Sequence, residues 1–523
     1  MKQVLIPTKL DPIAGEILTR EGWEVIHDPD SSLDELAGKY PEASALIVRS
    51  NKVTAEVIDA FPHLQLVVRA GSGYNTIDIK HARRRGIDVM NTPGANSNAV
   101  AEEVVAMILA HYRHVVPGDI STRAGRWEKK QLMGRELTGK TVGIVGLGNI
   151  GQLVVKRLEG FDSVLLGYDP VVSARRAEEI GVRLVDLETL FSESDVVTLH
   201  VPETDETVGM INRTLLSRMK PGALLVNCAR AGILEEDDLR QIKEEKNLGF
   251  CNDVYAADEA GEKSVTDIAD LMLPHLGAST LEANQNAARR AAEQLIAYFE
   301  RGVTKYVVNK GVPDGLDEAY QQLAYRIACV ARHYLGTGDS VRRVECSFYG
   351  GLDEYTKWLV PPIVAGISAD FDAFQDMEDA EEYLSAKGVE FEVREPDESK
   401  GYGKSITVDL LEGRDKLRQV SIRGTIAENN LVVSRINNFD KLYIQPQGNN
   451  LIVEYRDRPG VLAAITGACA EANINIEDIR APRDSSATYS LAVLRTDQPV
   501  PETVVKTIRE TVEPEVAFAL SMP

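Results

Sequence analysis

The residues with the plainest chemical purpose lie in the run Lys140 to Gly151, KTVGIVGLGNIG, where Gly146, Gly148 and Gly151 have the spacing GxGxxG. Val142, Ile144 and Val145 are β-branched and suit a strand covered on both faces, so the glycines mark a strand turning into a helix. The first glycine permits the tight turn, the second lets backbone approach a pyrophosphate, and the third lets helix and strand pack closely. The N–H groups and positive end of the helix expected over 149–159 would face the phosphates. Asp169 closes the next apolar run, SVLLGYD, where a ribose-binding carboxylate belongs. Because a carboxylate there repels a 2′-phosphate, the pattern predicts NAD.

Such a cofactor takes a hydride, and removing one from a hydroxyl-bearing carbon requires a base for the hydroxyl proton. His275, which follows the apolar run 271–274, has the suitable pKa, and an acid between it and Arg230 would fix its tautomer. Arg230 ends the run ALLVNCAR; a guanidinium there can hold a carboxylate bidentately and stabilise an oxygen as its charge changes. Arg49 closes ALIVR, and Arg69 closes LQLVVR just ahead of AGSGYN, whose Gly71 and Gly73 can offer N–H donors. Singly, most arginines are solvated and many histidines merely satisfy a loop end. Placed at strand ends around a dinucleotide fingerprint, they predict an anionic substrate.

To bring these groups together the chain needs parallel sheets. Short apolar runs at 4–6, 24–26, 45–48, 64–68 and 87–90 alternate with helical segments and predict an open α/β sheet. A connecting helix begins near 96–98 and leads to residues 113–137, which mix aromatic and basic side chains outside any plain period, as an oligomer arm would. Trp127 there either anchors in a partner's pocket or caps its own domain. Runs at 183–185, 194–202, 223–232, 249–253 and 271–277 extend the fingerprint into a doubly wound parallel sheet, and a helix over 280–300 returns to the first domain. Residues 311–448 carry a helix at 316–334, strands at 341–349, 405–411 and 418–424, a helix-rich middle and no motif chemistry. From 449 the order is strand, helix, strand, strand, helix, strand: a small ferredoxin-like βαββαβ sheet covered on one face, with edges able to pair with another copy.

The totals exclude several classes. Lysine and arginine number 58 against 80 acids, so a net charge of −22 disfavours nucleic-acid and anionic-membrane binding. The five cysteines, Cys228, Cys251, Cys329, Cys346 and Cys469, lack metal-ligand spacing and are expected as reduced thiols, with no metal site. With neither a long apolar run nor a signal-peptide profile, the cytoplasm is the expected compartment.

The runs ALIVRSNKVT (45–54), RAGSGYNTIDI (69–79), MNTPGANSNAVAEE (90–103), GRWEKKQLMGREL (125–137), HVPETDETVGMIN (200–212), KPGALLVNCARAGIL (220–234) and PHLGAST (274–280), together with the fingerprint, resemble the D-2-hydroxyacid dehydrogenases, on their D-3-phosphoglycerate branch. The resemblance implies NAD-dependent oxidation of D-3-phosphoglycerate to 3-phosphohydroxypyruvate, the first step of serine biosynthesis, with a glyoxylate or hydroxypyruvate reductase and a non-catalytic NAD-sensing scaffold as alternatives. It implies that Arg230 binds and polarises the hydroxy-acid, that His275 is the acid/base, and that Arg49 and Arg69 contact substrate. NAD would pass Gly146, Gly148, Asn149, Ile150, Gly151, Asp169, His200, Pro202, Cys228 and Ala229, with Asp253 near the nicotinamide. The family's glutamate stands in a DVFxxEP run; here the chain reads Asp253-Val-Tyr-Ala-Ala-Asp258-Glu259-Ala, leaving Asp258 or Glu259 as partner of His275. Ala231 replaces the usual glycine.

DRPGVLAAITGACAEANINIEDI (457–479) resembles an ACT module, which implies an amino-acid effector, serine foremost, at Asp457, Gly460 and Asn475 between paired modules; a purely dimerising module is the other reading. SITVDLLEGRDKLRQVSIRGTI and VVSRINNFD resemble the intervening domain of the longer family members. The expected architecture is a discontinuous flavodoxin-like substrate domain (1–95 and 285–312), a Rossmann-type NAD-binding domain (96–284), an α+β intervening regulatory domain (313–448) and a ferredoxin-like ACT domain (449–523), in a homo-oligomer, dimer or tetramer.

Overall fold

Five short strands, β1 (Gln3–Ile6), β2 (Glu24–His27), β3 (Ala45–Val48), β4 (Leu66–Arg69) and β5 (Asp88–Asn91), form an all-parallel sheet in the order β2-β1-β3-β4-β5. That is the flavodoxin-like order. Ala45–Val48 is buried throughout, as expected of a strand covered by helices on both faces. Helix Leu281–Arg301 lays Ala287, Ala288, Ala291, Ala292 and Leu295 against Val4, Ile6 and Val68, so a stripe of small residues lets the returning helix approach the sheet. Asn309 then fixes the chain by accepting from Val89 N at 2.8 Å and donating to Ile87 O at 2.9 Å.

The second sheet holds β6 (Thr141–Val145), β7 (Val164–Tyr168), β8 (Arg183–Leu184), β9 (Val196–Leu199), β10 (Leu224–Asn227), β11 (Gly249–Asn252) and β12 (Leu271–Met272), all parallel, ordered β12-β11-β10-β9-β6-β7-β8. Read from β8 inward, this is the Rossmann order with one added strand, and its switch point lies between β6 and β9. Glycine is demanded by space here: a Cβ on Gly151 would overlap Gly146 O, and one on Gly146 would lie 2.7 Å from His200 O. Gly146 also has φ +94°, a region that side chains avoid. The segment around Trp127 does not cap its own domain, because the indole is 85% exposed.

The computed structural model describes residues 2–204, 207–313, 315–336, 341–413 and 418–522; the matched runs 200–212 and 405–426 each pass through positions outside them. The chain divides into one unit of Met1–Asp169 with Ala177–Gly311 and another of Pro170–Arg176 with Val312–Pro523. Pro170–Arg176, expected in the NAD-binding domain, thus belongs to the second unit, where Ser173 N donates to Lys387 O at 2.9 Å and Val171 joins the core.

In that second unit β13 (Val341–Tyr349), β14 (Glu390–Arg394), β15 (Ser405–Glu412), β16 (Arg418–Ala427), β17 (Asn430–Ile436) and β18 (Phe439–Ile444) form a sheet ordered β14-β13-β15-β16-β17-β18. Three of these strands, β14, β17 and β18, escape the sequence pattern: they are short or interrupted by polar residues, and the neighbours that complete them are remote in sequence. The last sheet, β19 (Gly448–Arg456), β20 (Ile476–Arg480), β21 (Tyr489–Thr496) and β22 (Val516–Met522), has the order β20-β21-β19-β22 and is antiparallel. Its βαββαβ connectivity is as expected, but the single covered face is not. Leu451, Val453, Ala492 and Leu494 pack under its own helices, whereas Ile452, Leu491, Val493, Phe518 and Leu520 share a core with Val330 and Tyr334 of helix Ala319–Leu335. Alternation along a strand thus buries both faces.

All five cysteines are buried thiols, and no helix among the described residues is long and apolar enough to cross a membrane. Gly151→Val should lower the stability of the first unit by about 2 kcal/mol or more, because the backbone of Gly146 cannot yield to the added atoms. Urea unfolding followed by near-ultraviolet circular dichroism checks this, and an unshifted first transition would exclude it.

Candidate functional site

In a parallel sheet the carboxyl ends of the strands lie on one edge, and the sequence-selected residues of the first unit fall there. Arg49 follows β3, Arg69 ends β4, Asp169 follows β7, His200 follows β9, Cys228 to Arg230 follow β10, Asp253 follows β11, and His275 lies beyond β12. Strand polarity therefore brings Arg49 and Arg69 to the carboxyl edge of the first sheet and the others to that of the second.

Three cations define one part of the site. Arg69 Nε donates to Arg49 O at 3.1 Å, which holds its guanidinium against the neighbouring strand end. Burial, then the charges of Arg49 and Arg230, pull Arg69 down to about 10; burial alone lowers Arg49. Among the described residues none of the three pairs with a carboxylate, and Arg230 Nη1 donates to Ala229 O at 2.7 Å. A Cβ on Gly73 would stand 3.8 Å from Arg230 NH2, so the loop after β4 and the loop after β10 meet.

The glycine loop works differently from expectation. Gly71 N donates to Arg69 O at 2.9 Å, so it is not available to an anion. Its lack of a side chain matters instead because a Cβ there would collide with the Arg69 guanidinium.

His275 sits at φ +56°, a backbone conformation that costs a non-glycine residue about 1 kcal/mol or more. Its Nδ1 is 2.7 Å from Asp258 Oδ2, which leaves Nε2 as the ring atom available to another group. Of the two acids the sequence leaves open, the structure brings Asp258 to the imidazole. Glu259 forms no hydrogen bond with His275; its carbonyl instead accepts from Lys263 Nζ. Both side chains of the pair are about half exposed, at 41% and 56%. Asp253, by contrast, is 1% exposed and uses both oxygens on backbone: Oδ1 accepts from Leu276 N at 2.8 Å and Oδ2 from Gly277 N at 3.0 Å. It buckles the loop bearing His275 to the end of β11.

The fingerprint region fits a dinucleotide. Helix Asn149–Leu158 is capped by Gly148 without any side-chain hydrogen bond, so the first-turn N–H groups of Asn149, Ile150 and Gly151 are left for an anion. Asp169, 4% exposed, accepts from Leu147 N at 2.9 Å and so stands directly against the glycine turn. His200 is held between sheet and loop, with Nε2 3.0 Å from Thr198 Oγ1 and Nδ1 buried without a partner. Burial depresses its pKa to about 3, so it is a neutral wall of the site. Pro202 O accepts from Thr207 Oγ1 at 2.5 Å, and Cys228 and Ala229 are both 8% exposed.

In the second unit the three effector candidates do not converge within one chain. Asp457 meets Arg483 Nε at 2.8 Å and Ser490 Oγ at 3.0 Å, and Gly460, at φ +92°, opens helix Val461–Glu471. Asn475 lies beyond the other end of that helix, with its N–H on Asp497 Oδ1 at 3.0 Å. Eleven helical residues separate the two places by roughly 16 Å.

The chain can be set beside known proteins on this basis. Residues 105–277 match the NAD-binding domain of the D-isomer-specific 2-hydroxyacid dehydrogenases, and residues 450–513 match the ACT domain. D-3-phosphoglycerate dehydrogenase of Synechocystis sp. is 32% identical over 100% of this chain and 95% of its own length. That of Methanocaldococcus jannaschii is 33% identical over 98% of each chain. The NAD+-bound 3-phosphoglycerate dehydrogenase structure from Entamoeba histolytica, 31% identical, covers 60% of this chain and 99% of its own, with a TM-score of 0.50. With full-length similarity of this order added to strand ends of two parallel sheets that carry a dinucleotide turn, three cations and a histidine–aspartate pair, the chain belongs to the D-3-phosphoglycerate dehydrogenase family of NAD-dependent D-2-hydroxyacid dehydrogenases.

Proposed function

We propose that the protein oxidises D-3-phosphoglycerate to 3-phosphohydroxypyruvate, with His275 as acid/base. The observation that carries this is the group of three guanidiniums, Arg49, Arg69 and Arg230, free of carboxylate partners among the described residues. Such a cluster is matched by a ligand with two anionic ends, a carboxylate and a phosphate. When bound, NAD supplies the hydride acceptor. Arg230 holds the substrate carboxylate and steadies the oxygen that becomes the carbonyl; Arg49 and Arg69 hold the phosphate end. His275 Nε2 takes the hydroxyl proton, and Asp258 on Nδ1 stabilises the imidazolium that results. Asp169 and the N–H groups at 149–151 hold ribose and pyrophosphate. Because the imidazole pair is half exposed, closing the two sheets around substrate would exclude water and strengthen each of these contacts.

The second unit carries feedback control by an amino acid, serine foremost. Its support is that Asp457 and Asn475 stand at opposite ends of one helix, so a ligand touching both must bridge two copies, as a homo-oligomer permits. Five buried thiols suit a reducing cytoplasm.

NADH formation with D-3-phosphoglycerate tests the assignment directly; absence of turnover in folded protein would refute it. Asp258→Asn should lower kcat by about 100-fold with little change in KM, because the amide cannot stabilise the imidazolium. Arg49→Ala should reduce kcat/KM by about 10- to 100-fold on the phosphorylated substrate and far less on an unphosphorylated hydroxy-acid; equal losses on both would favour a hydroxypyruvate-type reductase. Arg69→Met removes a buried charge and relieves like-charge crowding, so the unfolding free energy of the first unit, measured by urea denaturation, should rise by about 1 kcal/mol while activity falls. Serine should inhibit NADH formation, and Asp457→Ala should shift that curve by about tenfold; an unmoved curve would take the effector away from this turn.

A further inference from the structure

The loop that carries His275 depends on a second carboxyl that the proposed reaction does not use. Asp253 accepts from Leu276 N and Gly277 N at 2.8 and 3.0 Å, the two backbone donors immediately after His275. Glu103, on helix Ser97–Tyr112, reaches the same place from the opposite side. A Cβ on Gly277 would lie 3.1 Å from Glu103 Oε2 and 3.5 Å from Asp253 Oδ2, so two carboxyl groups crowd one glycine. Glu103 Oε2 is buried and, among the described residues, finds no N–H or O–H donor.

Two donors and two carboxyls leave one group without a hydrogen, and a second negative charge beside the Asp253 anion is unfavourable out of water. Among the described residues the remaining neighbours offer no countercharge. Val100 is apolar; the Cys228 thiol is pushed up by burial and then by Glu103 and Asp253; and the Tyr255 hydroxyl is pushed up by burial and then by Asp253 while donating to Leu273 O at 2.8 Å. His275, one residue from the clamped pair of amides, is itself engaged by Asp258.

We propose that Glu103 is a positioning residue: as the neutral acid it donates a hydrogen bond to Asp253 and keeps the His275 loop clamped, and on ionising it repels Asp253 and frees Leu276 and Gly277. Burial, then the Asp253 charge and the hydrogen bond to it, raise the Glu103 carboxyl to about 8. The sign follows from linkage. The folded chain keeps a proton that the unfolded chain releases near 4.5, so this residue's contribution to stability falls as pH rises from there and levels off above about 8. The His275 clamp opens at the upper end of that window. Consequences for turnover rest on the acid/base role proposed for His275; those for the loop do not.

Hydrogen–deuterium exchange of the peptide containing Leu276 and Gly277, corrected for intrinsic rates, separates the two. In the full-length wild type, protection should fall about tenfold or more between about pH 6.5 and about pH 9.5. Glu103→Gln, which keeps a donor for Asp253 and has no proton to lose, should remove that fall; Glu103→Leu, with no donor, should be poorly protected throughout. A pH-independent wild type, or the same fall in Glu103→Gln, overturns the proposal. If Glu103→Gln does not fold, the wild-type profile alone decides. Under the His275 reading, kcat of the wild type declines above about pH 8 with KM unchanged, and Glu103→Gln loses that decline. Exchange behaving as stated without the kcat decline would leave the clamp standing and remove the role of His275.

Discussion

The first unit is organised around a repulsion. Arg69 is largely buried with Arg49 and Arg230 close enough to depress its pKa, and no carboxylate among the described residues relieves them. Nothing local favours that arrangement; it is held by two parallel sheets whose strand ends converge and by the Arg49 carbonyl that fixes the Arg69 side chain. Folding energy from apolar strands such as Ala45–Val48 and Leu224–Asn227 keeps like charges together. In the proposed reaction an anion with two charged ends would remove that repulsion on binding.

Four acids at the same edge differ by environment, not by type. Asp169 spends an oxygen on the glycine turn, Asp253 spends both on the loop after β12, and Asp258 keeps one for an imidazole in partial contact with water. Glu103, half-buried beside Asp253 with its Oε2 out of reach of a donor among the described residues, is pushed toward neutrality. The count of N–H donors near each carboxyl, together with its access to water, decides which is structural and which is chemical.

The second unit follows the same economy of faces. Its terminal sheet uses strand alternation to serve two cores, one under its own helices and one against helix Ala319–Leu335. Helix Val461–Glu471 keeps Asp457, engaged by Arg483 and Ser490, at one end and Asn475, held by Asp497, beyond the other.

How much was legible in the sequence follows from the range of the interactions involved. Glycine spacing, β-branched runs and strand–helix alternation are local, so the dinucleotide turn, the parallel sheets, the βαββαβ module and the placement of Arg49, Arg69, Arg230 and His275 at or just beyond strand ends could be read directly. Strands β14, β17 and β18 could not, because their stability comes from partners distant in the chain. The same is true of Gly71, which makes room for a guanidinium instead of donating to an anion, and of the choice of Asp258 over Glu259, which a single turn of backbone settles. Glu103 gives no local sign of a role: an acid on a helix is ordinarily solvated, and only packing against the loop after β12 draws it partly out of water. The sequence by itself determined which groups were available; the tertiary structure decided which were dry, crowded or paired, because charge and proton affinity depend on neighbours that adjacency in the chain does not reveal.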